Sequence, residues 1–132
     1  MKNKAMLSFG DNSLTIKNFA HHGQDVYYNT AFDLEVCSGG FIGCAPCEYE
    51  ISAFREFVDA LSEMYDFKKQ TVELWEIGYG SRVQFDMDQT GHMKISGKIF
   101  GEAMEHSMEF SFMADQTALK SFISGLQQLI LD

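Results

Sequence analysis

Between Ser81 and Asp132 the apolar residues change their spacing once, and that change constrains the fold more than any other feature of the chain. They alternate along Val83, Phe85 and Met87, along Met93, Ile95 and Ile99, and along Met108, Phe110 and Phe112. They then recur at Leu119, Phe122, Ile123, Leu126, Leu129 and Ile130. Alternate residues of a strand share a sheet face, whereas residues three and four apart share a helix face. This half therefore predicts an antiparallel meander closed by an amphipathic helix over residues 116–131. Asp115 stands where an N-cap carboxylate would accept from the free amides of the first turn. Asp88-Gln89-Thr90-Gly91-His92 fits a three-residue hairpin loop with Gly91 left-handed. That register sets Asp86 opposite Lys94 and Phe85 opposite Ile95. The next connection, over about residues 101–106, allows Lys98 opposite Glu109 and Ile99 opposite Met108.

The first half repeats the scheme. Strands are expected at residues 5–9 and 14–19, joined by Gly10-Asp11-Asn12-Ser13, with a loop over residues 21–25. A longer alternation has Val26, Tyr28, Phe32, Leu34 and Val36 on one face, with Asn29, Asp33 and Glu35 on the other. Ser38-Gly39-Gly40 turns the chain into a strand from about Phe41 that ends near Cys47 or Glu48. Ile51, Phe54, Phe57, Val58, Leu61 and Met64 then form one stripe of a helix over residues 51–66, with Arg55, Glu56, Asp59 and Glu63 facing water. Lys68 and Lys69 suit the negative end of its dipole. The turn around Gly78-Tyr79-Gly80 can hold two or three residues, which leaves open whether Leu74 or Trp75 points inward. The expected fold is α+β: antiparallel meander sheets of about eight strands, with the two helices packed on one face. It forms a single domain over residues 1–132.

Composition agrees with a folded core: 45% of the 132 residues are hydrophobic, twelve are phenylalanine and one is proline. The net charge of −9 disfavours nucleic acid and anionic membranes, which need cationic patches. A basic protein partner is compatible with it. No apolar run is long enough to span a bilayer, and Lys2 and Lys4 precede no signal-peptide core, so a cytoplasmic location is expected.

Cys44-Ala45-Pro46-Cys47 is the sharpest chemical motif. A thiol pair around proline between a strand and a helix suits redox chemistry. Against it, the flanking elements read as antiparallel hairpins, and Glu48 and Glu50 would raise a thiolate's pKa. In an extended segment the two side chains also point to opposite faces. Zinc could draw on Cys37, Cys44, Cys47 and His21 or His22, but a second spaced half-site is missing. Asp88 and His92 could form an acid–base pair, though no nucleophile accompanies them; a turn-stabilising bond is the expectation there and at His106. Glu73, Asp86 and Asp88 are expected on one sheet face. Gly78 and Gly80 lack a nucleotide-binding spacing.

Together, Asp88-Gln89-Thr90-Gly91-His92-Met93, the cap-and-helix Asp115-Gln116-Thr117-Ala118-Leu119 with Phe122, Gly40-Phe41-Ile42-Gly43 and Phe54-Arg55-Glu56-Phe57 carry a resemblance. Over residues 26–130 the chain resembles the WapI-type immunity family. These are small bacterial cytoplasmic proteins, some encoded beside polymorphic toxins. The resemblance implies a non-enzymatic protein without cofactor that binds a toxin domain and occludes it. Acidic residues would steer a basic toxin, with Asp33, Glu35, Glu73, Asp86, Asp88 and Glu109 as the candidate contact residues. The alternative is a small thiol-redox or zinc-binding protein using Cys44 and Cys47, with Cys37.

Overall fold

The computed structural model describes residues 4–21 and 30–131. The chain runs through β1 (Ala5–Phe9), β2 (Asn12–His21), β3 (Thr30–Ser38) and β4 (Phe41–Tyr49) into α1 (Ile51–Tyr65). It then repeats the scheme with β5 (Thr71–Trp75), β6 (Arg82–Met87), β7 (His92–Phe100), β8 (Ser107–Asp115) and α2 (Gln116–Leu131). Each set of strands forms a four-stranded antiparallel sheet in sequence order. The fold is thus α+β, as expected. The second strand is longer than its apolar pattern, and His21 is its last residue instead of the start of a loop. The fourth strand reaches Tyr49. The expected positions of Val26, Tyr28 and Asn29, and most of the loop at residues 21–25, lie outside the described residues.

The registers of the carboxy-terminal meander are those expected from pattern. Phe85 faces Ile95 and Asp86 faces Lys94, while Ile99 faces Met108 and Lys98 faces Glu109. The turn at Asp88 closes with His92 accepting from the Asp88 amide at 2.9 Å, and Gly91 has φ +88°. Asp115 Oδ1 accepts from the Ala118 amide at 3.2 Å, which caps α2. Asp115→Ala is expected to lower stability by about 1 kcal/mol in denaturant unfolding.

The inner faces of both sheets share one core with the helical stripes. α2 lies on β1, and α1 lies between α2 and β5. A chain of rings crosses this core from sheet to sheet. Phe32 contacts Phe54, which contacts Phe57, then Phe85 and Phe122, with centroid separations of 5.4, 6.0, 5.9 and 6.4 Å. Two glycines permit close approach. Gly125 of α2 seats against Ala5 of β1. At Gly97 of β7 an added Cβ would meet the Arg82 carbonyl and would stand 3.0 Å from the Val83 Cα, both backbone atoms that cannot swing away. Gly97→Ala is therefore expected to cost about 3 kcal/mol, the upper end of ordinary overpacking. A midpoint in denaturant close to wild type would contradict this.

Candidate functional site

The candidate contact carboxylates divide between the outer faces of the two sheets. Asp33 and Glu35 lie on β3, where Asp33 Oδ2 accepts from Asn18 at 2.8 Å and Glu35 pairs with Lys17 at 3.5 Å. Glu73, Asp86 and Glu109 lie on the outer face of the second sheet, with Asp88 at its edge turn. That face is mixed in sign: Glu73 bonds Arg82 at 2.6 Å, while Lys94 and Lys98 stand opposite Asp86 and Glu109. Exposed pairs of this kind contribute little to stability but cancel much of the local field.

Asp88 serves its own turn. Its Oδ1 accepts from the Thr90 hydroxyl at 2.7 Å, the Thr90 amide at 2.9 Å and the His92 amide at 3.0 Å. These bonds, the Thr90 hydroxyl first, hold the carboxyl below its ordinary pKa. A depressed carboxyl stabilises the fold above its unfolded pKa and loses that contribution as pH falls through the folded one. The difference in melting temperature between the wild type and Asp88→Ala is therefore expected to shrink from neutral pH towards pH ~3. His92 Nδ1 lies 2.7 Å from the same Thr90 hydroxyl.

The cysteines lie within and around β4, not at a helix start. All three are free: Cys44 is exposed, Cys47 buried and Cys37 intermediate. Cys44 and Cys47 take opposite faces of the strand, and a three-residue extended spacing separates their Cα atoms by roughly 10 Å, too far for a disulfide. Burial, helped by Asp33, raises the Cys44 thiol. Burial raises that of Cys47 much further. Among the described residues no group of three or more His, Cys, Asp or Glu could hold a metal ion; His22 lies outside them. A thiol reagent under native conditions is expected to label Cys44 and spare Cys47. Rapid labelling of Cys47 would contradict this placement.

Two features escaped sequence reasoning. The first is Glu76, 1% exposed, at the end of β5. Its carboxylate accepts from the amides of Gly78, Tyr79, Gly80 and Ser81, and across the sheets from the Glu48 amide of β4 at 3.1 Å. Successive inward amides make an anion cradle, here filled by the chain's own carboxylate. A Cβ at residue 78 would push against that carboxylate. The connection from β5 to β6 is therefore a wider loop, closed by the Glu76 amide donating to the Ser81 carbonyl at 2.8 Å. This settles the facing: Leu74 is buried and Trp75 is exposed.

The second feature is the groove that this clasp frames. It runs between α1 and the edge strand β5, with Ala53, Phe57 and Ala60 on the helix side and Val72, Trp75 and Ile77 on the other. Trp75 is 57% exposed and Ile77 47%. The Arg82 guanidinium covers the Trp75 ring at 4.9 Å. Glu50, Glu56 and Glu73 line the groove, with Lys69 as the basic residue among them. Of the candidate contact carboxylates, Glu73 alone lines this groove. A separate apolar tip lies at the β3–β4 hairpin, where Phe41 and Ile42 are 74% and 70% exposed.

No protein-family model and no curated protein matches the chain. Among solved structures, it is similar to a chain from the crystal structures of Trypanosoma bruciei MRP1/MRP2. The TM-score is 0.50 at 9% identity, over 90% of this chain and 73% of that one. At such identity the likeness concerns the fold alone.

Proposed function

We propose that this protein is a non-enzymatic binding protein of the immunity type, which occludes a basic toxin domain by docking it at the groove beside Trp75. The carrying observation is the conjunction of an exposed tryptophan and isoleucine with Glu50, Glu56 and Glu73 in one groove. Tryptophan is the side chain most often found as a binding anchor, and carboxylates around it raise the encounter rate of a basic partner. The net charge of −9 acts in the same direction at longer range. Within the proposal the Glu76 clasp is the rigid support of the anchor, since it fixes the chain on both sides of Ile77.

Reversing charge with the pair Glu56→Lys and Glu73→Lys is expected to slow association with the partner about tenfold at low salt and to flatten its salt dependence. Stopped-flow mixing with the captured partner reads both quantities. An unchanged rate would remove these carboxylates from the interface.

A further inference from the structure

Building on the docking reading above, we infer that the groove takes its partner as an extended basic segment, added to β5 as a further strand. The direction of the β5 hydrogen bonds carries this. Gln70 accepts from the Met87 amide at 2.9 Å and the Glu76 amide donates to Ser81 at 2.8 Å, so even-numbered positions bond β6. Odd-numbered positions point the other way. The Trp75 amide donates to the Tyr49 hydroxyl at 2.9 Å, and the Ile77 amide to the Glu48 carbonyl at 3.3 Å. Amide and carbonyl of one residue leave an antiparallel strand on the same side. Those of Thr71 and Glu73 therefore open into the groove, where no described residue bonds them.

Open edges are normally blocked, and the other edges here are each covered over part of their length. β1 lies under α2. β4 carries Pro46, which has no amide to offer, and its end is taken by Ile77. β8 meets β1 and β3, and Ser38 donates to the Ser111 carbonyl at 3.4 Å. The stretch from Thr71 to Glu73 remains open beside an exposed tryptophan. Strand addition to such an edge draws affinity from the ladder and specificity from alternate side chains. Lysine or arginine at those positions would meet Glu56 and Glu73. A second copy of β5 is disfavoured as occupant, because antiparallel pairing about Glu73 sets two like charges face to face.

The test uses the whole chain, labelled with 15N, and a blocked peptide of alternating lysine and valine as probe. The peptide is expected to shift the Thr71, Glu73 and Trp75 resonances and to slow exchange of the Glu73 amide about tenfold. Its fully N-methylated form, which cannot build a ladder, is expected to do neither. Glu73→Pro removes the outward amide but keeps the Leu74 bonds to β6, and should abolish the protection while Leu74 exchange stays slow. No protection at millimolar peptide would overturn the inference. So would equal shifts with the N-methylated peptide, or protection that appears with protein concentration alone. If the peptide fails while Trp75→Ala still weakens capture of a basic partner, strand addition is wrong and the docking reading stands. If Trp75→Ala leaves capture unchanged, the docking reading itself fails.

Discussion

Glu76→Ala is expected to destabilise the fold by about 3–5 kcal/mol, the cost of removing one partner from a buried charged network. The reason is the number of amides that lose their acceptor together: Glu48, Gly78, Tyr79, Gly80 and Ser81 all donate to this one carboxylate. Each buried donor left unpaired costs about 1–3 kcal/mol, softened where the loop can open to water. Glu76→Gln should recover little. Its amide nitrogen would present hydrogens to amides that are themselves donors, leaving one oxygen to serve the cradle. Denaturant unfolding of both variants measures this. A loss below about 1 kcal/mol for Glu76→Ala would mean the clasp is an incidental surface arrangement. Because the clasp joins β4 to the β5–β6 loop, the exposed Trp75 and Ile77 are expected to change their resonances in both variants.

Phe54→Ala is expected to cost a similar 3–5 kcal/mol, the range for deleting a fully buried phenylalanine. Phe54 is 0% exposed and touches the rings of Phe19, Phe32, Tyr49 and Phe57. Those rings come from β2, β3, the end of β4 and α1, so no single element can move to fill the space. Phe54→Leu keeps most of the volume and should lose about 1.5 kcal/mol or less. A typical domain is stable by only about 5–15 kcal/mol, so either the Glu76 or the Phe54 alanine variant could leave the chain partly unfolded at room temperature. Measuring each by stepwise urea titration at low temperature keeps the comparison quantitative.

The strands and helices were legible because each buries one face, and burial writes its period into the sequence. Phe85 opposite Ile95 and Asp86 opposite Lys94 follow from one glycine-containing turn, which fixes the register for the whole hairpin. The facing of Trp75 was not legible. It depends on the width of the β5–β6 loop, and that width is set by Glu76 folding back on amides up to five residues ahead. An acidic residue followed closely by Gly78 and Gly80 is the local signal that could have suggested a cradle. The groove itself has no sequence signature, since it arises where α1 passes the edge strand that follows it in the chain. The acidic residues were recognisable, but not their neighbours: alternation along β6 and β7 brings Arg82, Lys94 and Lys98 onto the same face. The separation of Cys44 from Cys47 needed only that the segment be extended.

If Trp75 anchors a basic protein partner, its removal must weaken capture of that partner. The tagged wild type and Trp75→Ala are each used as bait in the native host, with recovered proteins quantified by mass spectrometry. One basic toxin domain is expected at near-equal amount with the wild type, falling at least about tenfold with Trp75→Ala, whose exposed position leaves folding intact. Equal recovery of that partner by both baits would contradict the anchoring role of Trp75.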